Sequence, residues 1–220
     1  MHSTSELVAD TSCDPPVRGL LHRAARPTGD GIVLAHGAGS NSHAALLAAL
    51  GEAFAASGFF LLRCDLPFRQ LRPHGPPGPG DAARDRKGLE NAVAAMKKIV
   101  AGRIFLGGHS YGGRQATMLC AERPIDVSGL LLLSYPLHPP RKPEQMRTQH
   151  FPSLKTPALF VHGTRDPFGS PAEMQAAIKL IHAPTRLLTI EGAGHELLKG
   201  KAAAEPLLKS VLAETRDFFN

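Results

Sequence analysis

Arg103-Ile-Phe-Leu-Gly-Gly-His-Ser-Tyr-Gly-Gly-Arg-Gln-Ala-Thr-Met118 reads as a short apolar strand, a glycine-rich turn and the start of a helix. Inside it, Gly108-His-Ser110-Tyr-Gly112 spells G-x-S-x-G. To lift a serine hydroxyl above a sheet, the chain must reverse from strand to helix in one tight turn. The serine backbone is then strained, and positions two residues to either side have almost no room for side chains. Gly108 and Gly112 meet that demand, and Gly107 and Gly113 leave further room where helix and strands pack. The pentapeptide alone arises by chance in roughly one chain in ten of this glycine content, so its weight comes from its surroundings.

Outward from it, short apolar runs alternate with helical spacing. Gly31 to His36, Phe59 to Cys64, Val127 to Ser134, Ala158 to His162 and Arg186 to Ile190 read as strands, uniformly apolar as in a sheet buried on both faces. Helices are expected over His43 to Ser57 with Ser42 as N-cap, Asp81 to Val100, Ser110 to about Glu122, Pro171 to His182 and Lys201 to Phe219. Val17 to Ala25 is expected as an edge strand, and residues 1–16, ending in Asp14-Pro15-Pro16, as a loose lead-in. Leu66 to Gly80 is too rich in proline and glycine for regular structure, and Tyr135 to Pro157 holds at most one helical turn around Glu144 to Gln149. The alternation predicts a single α/β domain over residues 1–220. Its sheet is mostly parallel with helices on both faces, and its long loops leave the carboxyl ends of strands, where such sheets place their sites. With only 22 residues from Tyr135 to Thr156 for a cover, the lid is minimal.

A serine hydroxyl needs a base to take its proton, and the base needs a third group to orient it. On a sheet of this kind the chain order is serine, acid, histidine. After Ser110, the acid that follows a strand is Asp166 in His162-Gly-Thr-Arg-Asp-Pro-Phe168, and the histidine that follows the last strand is His195 in Gly192-Ala-Gly-His-Glu196. Both fall at carboxyl ends of strands, on the serine's side of the sheet. A developing oxyanion would meet the backbone N–H groups of Tyr111, just past the serine, and of Ala38, in the small-residue turn Gly37-Ala-Gly39 after the first buried strand. That turn also approximates a dinucleotide fingerprint, Gly37-x-Gly39-x-x-Ser42 with Asp65 ending the next strand. Its third glycine is missing, however, and a nucleotide leaves His195 without a role.

Composition narrows the partners. The chain has 25 Lys and Arg against 19 Asp and Glu, a net charge of +6 and a pI of about 9.5. Two tyrosines, no tryptophan and dispersed basic residues leave a nucleic-acid reading unsupported. Three widely spaced cysteines form no C-x-x-C, no leader-like segment opens the chain, and no apolar run nears the ~20 residues of a membrane span, so a cytoplasmic chain is expected. Neither a P-loop nor a metal-binding motif is present, so no cofactor and no metal are expected. Arg69, Arg72, Arg141, Lys142 and Arg147 cluster on the two long loops and suggest a basic rim suited to anionic substrates.

From Gly31 onward the chain resembles the α/β-hydrolase superfamily. Leu34-Ala-His-Gly-Ala-Gly39, Gly108 to Gly113, Ser134-Tyr-Pro-Leu-His-Pro-Pro140 and His162 to Phe168 are most similar to its dienelactone-hydrolase-related group, with the testis-expressed and nonspecific-lethal-complex hydrolase-like proteins. The resemblance implies a serine-hydrolase fold with Ser110, Asp166 and His195 as catalytic groups, but no particular substrate; serine at the elbow leads to the expectation of a small acyl substrate cleaved through an acyl-enzyme. Dienelactone hydrolases proper carry cysteine where Ser110 stands. A non-catalytic binding protein on the same fold is the alternative, against which the complete set of three groups argues.

Overall fold

The computed structural model describes residues 5–198 and 204–220. Eight strands form one sheet: β1 (Ser5–Asp10), β2 (Val17–His22), β3 (Gly31–Ala35), β4 (Phe60–Cys64), β5 (Ile104–His109), β6 (Gly129–Leu133), β7 (Ala158–Gly163) and β8 (Thr185–Ile190). Their spatial order is β1-β2-β4-β3-β5-β6-β7-β8, and the six strands from β4 to β8 run parallel. Beginning at β3, the chain steps outward to β4 and then returns to lay β5 on the other side. The crevice between the carboxyl ends of β3 and β5 is thus the topological switch point.

Helices cover both faces. Leu46, Leu47, Leu50 and Phe54 of α1 (Ala45–Ala56) pack with Leu207 and Val211 of α6 (Ala204–Phe219) over Ile32, Leu34 and Leu131. The opposite face is covered by α3 (Asp81–Lys97), α4 (Tyr111–Glu122) and α5 (Pro171–Ile178). There Leu89, Met96, Leu119 and Met174 meet Val33, Leu106 and Leu130. Strands β3, β5, β6 and β7 are buried at every residue, because alternate side chains feed two different cores.

Several expectations are corrected. Ser5–Asp10, expected within a loose lead-in, pairs antiparallel with β2 from Ser5↔His22 to Asp10↔Val17. This strand buries little, so the backbone ladder rather than an apolar pattern supports it, and β2 lies inside the sheet instead of at its edge. Residues 1–4 of that lead-in lie outside the described residues. A short helix, α2 (Pro67–Leu71), interrupts the proline-rich loop, with Pro67 at its first turn where the missing N–H does no harm. Ser42 does not cap α1: the N-cap is Ala44 without a side-chain bond, and Ser42 is drawn away by Asp65. No helical turn forms at Glu144 to Gln149; a 3-10 turn lies at Phe151–Ser153 instead. For the last helix, Lys201 to Ala203 lie outside the described residues.

His22 ties the inner strands together. It accepts a hydrogen bond from Arg63 Nε at 2.9 Å, and Gly51 of α1 leaves the space its ring fills. Burial, and then the Arg63 charge, hold its imidazole down to about 4. The unfolded chain therefore takes up this proton first as pH falls. The stability tied to a neutral His22 is intact above pH ~6.5 and is lost as pH drops toward 4, by on the order of 3 kcal/mol. Urea unfolding at pH 6.5, 5.5 and 4.5 should show wild type losing stability more steeply than His22→Gln; parallel losses would contradict this role.

Candidate active site

The turn after β5 is set by backbone contact. A methyl group on Gly108 would lie 2.4 Å from the Ala35 carbonyl oxygen, and one on Gly112 would lie 2.6 Å from that of His36. With side chains absent there, the start of α4 lies directly against the end of β3. Ser110 itself has φ 50° and ψ −113°, a strained conformation for a residue with a side chain. Its N–H is held by the Leu133 carbonyl of β6 at 2.8 Å, so the strain is locked by the neighbouring strand.

Three side chains from three loops converge. His195 Nδ1 lies 2.8 and 3.0 Å from the Asp166 carboxylate oxygens, and His195 Nε2 lies 2.8 Å from Ser110 Oγ. A carboxylate only accepts, so Nδ1 carries the proton and Nε2 presents its lone pair to the serine hydroxyl. The Asp166 side chain is fully buried. Burial alone would raise its pKa, but the bonds from His195 and the Phe168 N–H, at 2.9 Å, outweigh it and hold the carboxyl below the usual carboxylate range. This is the charged partner an oriented imidazole requires.

The surrounding groups keep the imidazole in place. The Phe168 ring packs 4.2 Å from it, centroid to centroid. His109, next to the serine, donates through Nε2 to the His195 carbonyl at 2.9 Å. His36, fully buried, donates through Nδ1 to the Gly37 carbonyl and accepts the Leu66 N–H at Nε2, so it too stays neutral. Burial lowers the pKa of both these histidines. Tyr111 donates its hydroxyl to the buried Asp85 carboxylate at 2.7 Å, which also accepts the Phe68 N–H. That network anchors α2 and α3 to the turn.

The loop after β3 lies beside the serine: a methyl group on Gly37 would sit 3.6 Å from Ser110 Cβ. Among the described residues, neither the Ala38 nor the Tyr111 N–H has a hydrogen-bond partner. Asp65 accepts both the Ser42 N–H and hydroxyl, at 2.7 and 2.9 Å, so it fastens this loop and is not free for a ribose. A cavity of ≈ 210 Å³ opens beside the loop, lined by Ser40, Ala44, Leu46, Leu47, His109 and Leu198 among others. A larger one of ≈ 440 Å³ lies between β8 and α6; none of the three converging groups lines either cavity, but His109 and Glu196, the chain neighbours of Ser110 and His195, line the smaller. Proximity to the serine selects the smaller cavity. No group of three or more His, Cys, Asp or Glu among the described residues is placed to hold a metal ion.

The basic rim is mostly not a rim. Arg69 is buried and bonded to backbone carbonyls, Arg72 pairs with Asp81, and Arg147 is half-buried against the Pro136 carbonyl. Arg141 and Lys142 alone of the five are exposed side chains without a bonded partner among the described residues. Charge counting along the loops did not reveal this, because burial of an arginine by carbonyls leaves no acidic signal in the sequence.

The family model for the alpha/beta hydrolase domain matches residues 29–219. Among solved structures, DcsB in complex with its substrate analogue is similar at 17% identity, covering 98% of this chain and 99% of that one, with a TM-score of 0.78. Dienelactone hydrolase from Anabaena variabilis is similar at 20% identity over the full length of both chains, with a TM-score of 0.76. Est1E from Butyrivibrio proteoclasticus, solved with ferulic acid bound, is similar at 17% identity, covering 92% and 96%, with a TM-score of 0.71. The polyketide synthase ThaQ of Burkholderia thailandensis is 44% identical over 69 residues, 31% of this chain but 3% of that much longer protein.

Because the turn depends on backbone contact, Gly112→Ala should destabilise the protein by about 3 kcal/mol and lower its Tm by roughly 6–12 °C. Calorimetry checks this, and an unchanged Tm would show that the contact yields.

Proposed function

The chain belongs to the alpha/beta hydrolase domain family, and from that premise we propose that it is a serine hydrolase of esters or related acyl compounds. The unbroken hydrogen-bond chain Asp166–His195–Ser110, each link within 3.0 Å, carries the reading. As Ser110 Oγ attacks the substrate carbonyl carbon, His195 Nε2 takes the hydroxyl proton. Asp166 stabilises the resulting imidazolium. The oxyanion is held by the N–H groups of Ala38 and Tyr111, which carry no other hydrogen-bond partner among the described residues. Collapse returns the proton from His195 to the leaving alkoxide and leaves an acyl-Ser110 ester. Water, deprotonated by His195, then cleaves that ester and releases the acid. Est1E, a neighbour of the same fold seen with ferulic acid, fits a carboxylesterase-like activity of this kind.

A fluorophosphonate probe should label the wild-type protein, and Ser110→Ala should abolish the labelling. His195→Ala and Asp166→Asn should each lower kcat by about 10²–10⁴-fold, the Asn variant because it favours the wrong tautomer. A folded wild type that resists the probe and turns over no ester or thioester would defeat the proposal and favour a binding role.

A further inference from the structure

Arg69 is a buried cation with no acidic partner. It is 8% exposed, and it forms no salt bridge among the described residues. Its guanidinium donates instead to four backbone carbonyls. Nε reaches Ser40 at 2.7 Å, Nη2 reaches Ala38 and Gly75 at 2.9 Å each, and Nη1 reaches Arg72 at 3.1 Å. Its Cζ also stacks 4.9 Å over the Phe68 ring, which packs edge-on against Tyr111. Four convergent carbonyl dipoles and a π face offset the loss of water that burial imposes on the charge.

Two of those carbonyls belong to the loop after β3. Its ends are fixed independently. His36 binds Gly37 and Leu66 at one end, while Asp65 and Arg63 Nη1 hold Ser42 at the other. The middle has little packing, since a side chain on Gly39 would meet nothing within 4 Å. Within the loop the Ser40 N–H donates to the Gly37 carbonyl at 3.1 Å, and Ala38 to Ser40 is tied to α2 and to the loop at 72–75 through one guanidinium. We infer that Arg69 is a positioning residue for the oxyanion loop: by gripping the Ala38 and Ser40 carbonyls from behind, it holds in place the turn that carries the Ala38 N–H, whose own peptide plane is aimed by the Gly37 carbonyl bonded to His36 Nδ1 and the Ser40 N–H. The inference rests on the hydrolase reading for its catalytic consequence, but its structural consequence stands apart. Lysine cannot replace the grip, because one ammonium lacks the planar fork that spans four acceptors.

Wild type, Arg69→Lys and Arg69→Met are compared with an ester substrate, a trifluoromethyl ketone inhibitor and hydrogen exchange. In Arg69→Met, amides of residues 37–41 should exchange at least about tenfold faster, with β5 amides unchanged. For the same variant kcat should fall about 10²-fold, as when one oxyanion donor is lost. KM should stay within about threefold and the pH–rate midpoint should not move. The ketone, whose adduct forms an oxyanion, should weaken by a factor similar to that in kcat. Arg69→Lys should recover about tenfold of the loss, and it carries the same readouts should Arg69→Met fail to fold. Unchanged exchange at 37–41 in a folded variant would overturn the assignment whatever the activity. A loss that falls on KM, or a kcat within about threefold of wild type, would overturn it equally. An inactive and unlabelled wild type defeats the hydrolase reading instead, so the two failures are separable.

Discussion

The end of β3 and the start of α4 touch backbone to backbone, and the site depends on that contact. Gly108 and Gly112 let the carbonyls of Ala35 and His36 approach where any methyl group would collide. Pressed so closely, the chain has to reverse within one residue, and Ser110 takes the strained, positive-φ conformation that results. The same closeness brings the loop after β3 alongside the serine, so one steric constraint sets both the hydroxyl and its neighbouring donors. The strain is local and is held by β6 through the Ser110 N–H and by the two apolar cores beneath.

Above this contact the structure is polar but closely matched. His36, His109 and His195 each donate one ring N–H to a fixed oxygen, which fixes the orientation of each ring and one nitrogen that carries a proton. His195 alone of the three is bonded to a carboxylate and to a hydroxyl together. The neutral pair fastens loops, and the third spans the serine and the acid. Three charged side chains, Arg63, Asp65 and Arg69, serve the loop after β3 from behind, binding backbone far more than one another. Under the proposed hydrolase function such a frame would preorganise the site, since donors that must reorient during reaction stabilise an oxyanion less.

The alternation of apolar strands and helices was legible because both faces of a parallel sheet must be apolar, a demand that marks β3 to β7 strongly. Ser110, Asp166 and His195 were legible by order and by their places after strands, and the structure brings them within hydrogen-bond distance. What escaped had no hydrophobic or positional signature. Strand β1 is supported by ladder hydrogen bonds at an exposed edge, and α2 is too short for periodicity to show among prolines. Ser42 looks like an N-cap in one dimension, but Asp65, 23 residues away, competes for it in three. Arg69 looked like surface charge because its partners are carbonyls, which every residue carries.

The covalent intermediate is the most direct measure of whether these groups act together. Wild-type protein mixed with an activated ester, quenched in acid within milliseconds and mapped by peptide mass spectrometry, should carry one acyl group on the peptide containing Ser110, formed in a burst stoichiometric with protein. Turnover without any acyl group on Ser110, or with the acyl group on another residue, would contradict the hydrolase mechanism built on this site.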